Sequence, residues 1–121
     1  PMLRAGWVRQ GAAWYACPPE AEVHNPLRVD LHGLPPMLVQ VGDQEILLAD
    51  AEGLASHAVA CGVPCRLEIH RERWHVFHLQ SFYLRSAANA IGALAQFARV
   101  RIAAAARAEP AHAQPHVAPP V

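Results

Sequence analysis

The chain has 121 residues, 53% of them hydrophobic, and its ten basic residues balance ten acidic ones. This balance leaves no bulk positive field, which argues against nucleic acid or an anionic membrane surface as a partner. Its three cysteines, Cys17, Cys61 and Cys65, form no Cys-x-x-Cys pair, so reduced thiols in a cytoplasmic protein are favoured over a disulfide framework or a zinc site. No apolar run approaches the roughly 18 residues of a membrane span.

The first predicted elements are a helix and a loop. Residues 1–17 indicate a short amphipathic helix that ends before a pair of prolines. Its apolar positions are Leu3, Trp7, Val8, Trp14 and Tyr15. Residues 18–34 are interrupted by proline and glycine, which predicts a loop that connects this helix to the first strand.

The centre of the chain has the pattern of a βαβ unit. Residues 37–41 form an apolar run that is too short for a helix and is bounded by prolines and Gly42, which predicts a buried parallel strand. An apolar repeat at helical spacing follows and stops at Gly62, and residues 65–70 then predict a second strand. The right-handed crossover that joins two such strands makes them parallel.

Polar side chains follow both predicted strands. In open α/β sheets the working residues lie at the carboxyl ends of the strands, which here are followed by Asp43, Glu45 and His75. His78 completes a His-x-x-His pair with His75, but no third ligand stands at a suitable spacing, so no metal is predicted. The sequence therefore predicts a carboxylate and a histidine at one sheet edge.

The end of the chain is predicted to be a long helix over residues 83–106, with a buried stripe that includes Ile91, Leu94 and Ile102. Residues 110–121 are rich in alanine, proline and histidine, which predicts a disordered tail. Residues 1–109 are then one α/β unit with an incomplete sheet, because two strands alone are marginal in water. We expect either a homo-oligomer or the C-terminal portion of a larger domain.

Four phrases carry a family resemblance: Asn-Pro-Leu at 25–27, the Pro-Pro strand at 35–42, Gly-x-x-Glu-x-Leu-Leu-x-Asp at 42–50 and Trp-His-x-Phe at 74–77. In this order they resemble the C-terminal third of the α/β-hydrolase esterases of the hormone-sensitive lipase family. The resemblance implies a mostly parallel sheet flanked by helices, with residues 1–17 as a helix near the cap. It also implies hydrolysis of small carboxylic esters through an acyl-enzyme, without a cofactor.

The resemblance also implies residue roles. The family's triad runs serine, acid, histidine along the chain, and the matched motifs put Glu45 at the acid position and His75 at the histidine. Asp43 is the alternative acid. Trp74 and Phe77 are candidates for lining the acyl or alcohol pocket, although packing within the loop accounts for them equally well. A carboxylate on one ring nitrogen of a histidine fixes its tautomer and stabilises the imidazolium that forms when serine is activated.

The family's nucleophile motif, Gly-x-Ser-x-Gly, does not occur in the sequence. We therefore expect a C-terminal fragment of a serine carboxylesterase or lipase, inactive by itself, whose nucleophile lies upstream. The alternative is a non-catalytic truncated α/β module that acts by oligomerisation or by binding a partner. A nucleotide-binding domain is disfavoured, because no glycine-rich phosphate loop follows either strand.

Overall fold

The structure, a computed structural model, describes residues 3–15 and 25–108. Helix α1 spans Ala5–Trp14, strand β1 Met37–Gly42, helix α2 Leu48–Ala60, strand β2 Cys65–His70 and helix α3 Arg85–Ala108, with a short 3-10 helix at Phe77–Gln80. The predicted βαβ unit is confirmed, and both strands lie within one residue of their predicted ends. The tail at 110–121 and the loop segment at 18–24 lie outside the described residues.

Strands β1 and β2 pair in parallel and make a two-stranded sheet. The register runs from Met37 opposite Cys65 to Gly42 opposite His70, so both strands end at the same level. The turn after β1 and the loop after β2 therefore leave the sheet side by side, and this arrangement brings the predicted carboxylate and histidine together.

One face of the sheet is covered by α2 through an apolar cluster. Its buried members are Leu31, Ala58 and Val63, and half-buried residues that include Met37 and Cys65 surround them. Gly62 ends the helix in the left-handed conformation, with φ of 76°, which glycine adopts without the steric cost of a Cβ. This face holds the βαβ unit together.

The other face is covered by α3 and the 3-10 helix. Phe77, Ala87 and Ala90 are buried there, and Trp74 and Leu84 pack against them. The prediction of a buried stripe along all of α3 is wrong, because Ile91, Leu94 and Ile102 are exposed. The helix contacts β1 and the 3-10 helix, and its fully buried residues, Ala87 and Ala90, both lie in its first two turns.

Helix α1 begins and ends within the predicted range, but it has no buried residue. Trp7 and Trp14 are exposed among the described residues. Its position near a cap stays a prediction. Within residues 3–15 and 25–108, no helix combines the length and apolar character that crossing a membrane requires.

Candidate active site

Glu45 lies in the turn that follows β1. Its Oε1 accepts a hydrogen bond of 3.0 Å from the backbone N–H of Gly42, three residues earlier. The side chain is only 7% exposed. The turn thus fixes the carboxylate by a contact within its own few residues and leaves the second oxygen, Oε2, to face the neighbouring loop.

His75 meets that second oxygen. Its Nδ1 lies 2.6 Å from Glu45 Oε2, and its side chain is 34% exposed. A carboxylate can only accept, so Nδ1 donates the proton. In the neutral ring, Nε2 then carries the free lone pair, and no hydrogen-bond partner contacts Nε2 among residues 3–15 and 25–108. The histidine can accept a proton at Nε2 while the carboxylate stabilises the resulting cation.

Asp43 is directed at the backbone of the next loop. Its Oδ1 accepts a 2.7 Å hydrogen bond from the N–H of Glu72. Two backbone bonds run in parallel with this contact, from Asp43 N–H to the carbonyl of His70 at 3.0 Å and from Gln44 N–H to the carbonyl of Arg73 at 2.8 Å. Asp43 therefore joins the two segments that carry Glu45 and His75.

Gly42 allows these segments to approach closely. A Cβ at this position would overlap the backbone carbonyl of Arg73 and would lie 3.0 Å from the backbone nitrogen of Trp74. Real Cβ atoms do not approach backbone so closely, so a side chain here would push the loop away from the strand. The glycine therefore sets how near the histidine loop can lie to the end of β1.

The residue after His75 has an unusual backbone. Val76 adopts φ of 55° and ψ of 32°, the left-handed region that a β-branched residue rarely enters. Such a conformation persists only where neighbouring contacts enforce it. Phe77, which follows directly, is 1% exposed and packs against Ala87 and Ala90.

A cavity of about 640 Å³ opens beside the acid and the histidine. Its wall includes Glu45, His75 and Phe77, with apolar side chains from β1 and α2. Trp74 is not part of that wall and packs instead against the Phe77 cluster. Of the two residues predicted to line a pocket, the structure thus brings Phe77 to the cavity and leaves Trp74 in the packing of the loop.

Sequence reasoning overlooked Gln40 as a site residue. Its Oε1 lies 2.9 Å from Nε2 of His78, and its Nε2 donates to Glu68 Oε2 at 2.7 Å and to the carbonyl of Ala90 at 3.1 Å. The sequence did contain a signal for these contacts: Gln40 is a single amide inside an apolar strand. A polar group in such a place needs hydrogen-bond partners.

The surroundings of His78 favour its neutral form. Burial lowers the pKa of His78 and the nearby His70 lowers it further, while the charge of Glu45 acts in the opposite direction. No group of three or more His, Cys, Asp or Glu side chains comes together as a metal site in the described part of the chain.

Burial raises the pKa of the Cys65 thiol, which packs in the α2 cluster on the other face of the sheet.

Comparison with known families matches residues 1–79 to the alpha/beta hydrolase fold. Among curated proteins, the chain is 42% identical over 60 residues to an acetyl-hydrolase of Streptomyces hygroscopicus, covering 50% of this chain and 20% of the relative. It is 36% identical over 74 residues to an esterase of Acinetobacter venetianus, covering 61% of this chain and 24% of the relative. The chain thus spans about a quarter or less of these relatives.

Solved structures resemble the chain over a larger share of its length. An esterase from the bacterial hormone-sensitive lipase family is 38% identical, with a TM-score of 0.78, and the match covers 83% of this chain and 34% of that one. The structure of EstE5 soaked with p-nitrophenyl butyrate is 34% identical, with a TM-score of 0.76 and coverage of 83% and 35%. The predicted fold class and the resemblance to the hormone-sensitive lipase family are confirmed.

Proposed function

The chain belongs to the family of the alpha/beta hydrolase fold, whose solved members similar to it include hormone-sensitive lipase-type esterases, and from this premise we propose that it is the C-terminal portion of a serine carboxylesterase. In this proposal it contributes the acid and the histidine of a triad whose serine lies upstream. The 2.6 Å contact between Glu45 Oε2 and His75 Nδ1 carries the proposal. The substrates are small carboxylic esters.

The proposed chemistry assigns each proton. The serine oxygen attacks the acyl carbon of the ester while His75 takes the serine proton at Nε2. Glu45 keeps Nδ1–H in place and stabilises the imidazolium. His75 then gives the proton to the departing alkoxide, which leaves as the alcohol. Water attacks the acyl-enzyme, His75 takes one of its protons and returns it to serine, and the carboxylic acid is released.

Glu45 is the better candidate than Asp43 for the acid. Its carboxylate contacts the histidine ring, whereas the Asp43 carboxylate accepts the N–H of Glu72. The hydrogen bond from Glu72 N–H to Asp43 positions the loop, but within the described part of the chain the Asp43 carboxylate makes no contact that would stabilise the imidazolium. We therefore assign Asp43 to positioning the loop and Glu45 to catalysis.

The test uses the protein encoded when the reading frame is extended upstream to include a Gly-x-Ser-x-Gly motif. Hydrolysis of a p-nitrophenyl ester should fall by about 10⁴ in His75→Ala, and by about 10² to 10⁴ in Glu45→Gln with the fold intact. Asp43→Asn, the matched control, should lose less than about tenfold because its contribution is indirect.

Two results would count against the proposal. Full activity in Glu45→Gln together with a steep loss in Asp43→Asn would move the acid to Asp43. Full activity in His75→Ala, or an inactive extended protein that carries the nucleophile motif, would remove the catalytic role altogether.

A second candidate is a non-catalytic module that oligomerises. The observation in its favour is the number of large apolar side chains that are exposed on α1 and α3, among them Trp7, Trp14 and Ile102. The 121-residue chain should then form a stable dimer or higher oligomer in sedimentation equilibrium, and the extended protein should hydrolyse no ester. A monomeric chain would exclude this candidate.

A further inference from the structure

We propose that His78 is a positioning residue for His75, acting through Gln40. This inference rests on the proposed function, because it supposes that His75 is the base of a triad. Residue 78 lies three positions beyond His75, on the 3-10 helix Phe77–Gln80, and Gln40 lies in the middle of β1. The hydrogen bond between their side chains ties the segment that follows the histidine to the central strand of the site.

The amide of Gln40 has a single workable orientation. Its Nε2 faces two acceptors, Glu68 Oε2 at 2.7 Å and the carbonyl of Ala90 at 3.1 Å. Both amide hydrogens are used there, so Oε1 must face His78 as an acceptor. Nε2 of His78 therefore donates, at 2.9 Å. A donor at this position is what the network requires of residue 78.

The hydrogen bond between His78 and Gln40 restrains a segment that contains a strained residue, Val76. Val76 is held in the left-handed region, with φ of 55°. A β-branched residue is disfavoured there, and relaxation toward ordinary backbone angles would rotate the chain between His75 and His78. Burial of Phe77 restrains the segment at one point. The bond from His78 to Gln40 restrains it at a second point and so fixes its rotation.

The ring of His78 is itself well supported. Its centroid lies 4.0 Å from that of Phe77, and the two rings are tilted by 33°. The Phe77 ring in turn lies 4.9 Å from His70 on β2. His78 also reaches the wall of the cavity beside His75, so direct contact with substrate is the competing explanation, and the two differ in which kinetic constant they change.

The experiment compares variants of the extended protein by steady-state kinetics with a p-nitrophenyl ester. His78→Phe keeps a ring over Phe77 but loses the donor, and it should lower kcat by about 10-fold to 100-fold with KM unchanged, because small displacements of a catalytic group have effects of this size. His78→Gln places an amide N–H at the reach of the lost Nε2–H and should restore most of kcat. Leu79→Ala, an exposed neighbour on the same 3-10 helix, should behave as the unsubstituted protein.

Two further comparisons keep the test decisive. If His78→Phe does not fold, His78→Gln is set against His78→Asn, whose amide is too short to reach Gln40; kcat should be lower in the asparagine variant. Gln40→Leu, which also removes the bonds to Glu68 and Ala90, should lower kcat at least as much as His78→Phe. Adding His78→Phe to Gln40→Leu should lower kcat little further, as expected for partners in one contact.

The outcomes separate this inference from the proposed function. An unchanged kcat in His78→Phe, or equal kcat in the glutamine and asparagine variants, would overturn the positioning role while leaving a His75-dependent esterase in place. A raised KM with unchanged kcat would show contact with substrate instead. An extended protein whose activity survives His75→Ala would overturn the proposed function itself.

Discussion

The turn that carries Glu45 and the loop that carries His75 are held in place by different means. The turn is self-contained, since the Glu45 carboxylate accepts the N–H of Gly42 three residues away. The loop depends on distant partners, because Asp43 binds the N–H of Glu72 and Gln40 binds His78 across 38 positions of sequence. The loop also holds two non-glycine residues, Glu72 and Val76, at positive φ. The acid is thus placed by local structure and the histidine by the rest of the fold.

The largest expected effect comes from removing the apolar anchor of the loop. Phe77→Ala should lower the free energy of unfolding by about 3–5 kcal/mol, because a fully buried ring leaves a cavity. Phe82→Ala is the matched control, since Phe82 is 84% exposed, and it should change stability by less than about 0.5 kcal/mol. Urea unfolding of the extended protein gives both values. Equal effects at the two positions would show that Phe77 does not anchor the loop.

The contact between turn and loop can be broken at Gly42. Gly42→Ala should destabilise the chain by about 1–3 kcal/mol, because the added methyl overlaps the carbonyl of Arg73. Gly92→Ala is the control: nothing lies within 4 Å of a Cβ there, and the position is inside α3. That change should stabilise by up to about 1 kcal/mol through helix propensity. Opposite signs in denaturant unfolding are expected, and a stabilising Gly42→Ala would contradict the close approach.

The strain in the loop can be relieved at Val76. Asparagine tolerates left-handed angles far better than valine, so Val76→Asn should stabilise the chain by about 1 kcal/mol. Val100→Asn makes a matched comparison, because Val100 is 49% exposed, close to the 40% of Val76, and lies within α3. Valine and asparagine have similar helix propensities, so that change should be nearly neutral. Thermal unfolding compares the pair, and equal shifts would argue against strain at Val76.

The smallest expected effect is a pH dependence that belongs to the loop. The pKa of His78 lies below its ordinary value of 6.5, through burial and His70, against the opposing charge of Glu45. Between the pKa of His78 in the folded chain and its higher pKa in the unfolded chain, the unfolded chain binds more protons. The contribution of His78 to the free energy of unfolding is therefore present above about pH 6.5 and is lost as the pH falls below it. His78→Gln should lose less stability than the unsubstituted chain between about pH 7.5 and pH 5.5. If urea unfolding shows the same loss of stability in His78→Gln and in the unsubstituted chain, His78 is not the source of the pH dependence.

The contrast between turn and loop also explains what the sequence could reveal. The strand before Glu45, the glycine that ends it and the parallel partner at 65–70 are all local patterns, and the structure contains each of them. The family resemblance then placed Glu45 and His75 on the acid and histidine positions, and these catalytic roles stay predictions.

The features that escaped sequence reasoning depend on long-range packing. Nothing near Val76 indicates a left-handed backbone, because the fold imposes it. The partner of Gln40 lies on another loop, and its role is invisible until β1 and the 3-10 helix are placed side by side. The apolar spacing of α3 predicted burial along its whole length, but spacing alone cannot show that the sheet beneath it ends after two strands. These features follow from which elements are present to pack.

The pairing of Glu45 with His75 can be tested most directly by nitrogen-15 NMR of the His75 ring in the 121-residue chain. At a pH where the ring is neutral, we expect the proton on Nδ1, with a hydrogen-bonded signal that is lost when the acceptor is removed in Glu45→Ala and retained in Asp43→Asn. A ring protonated at Nε2, or a signal that survives Glu45→Ala and disappears in Asp43→Asn, would contradict the assignment of Glu45 as the partner of the histidine.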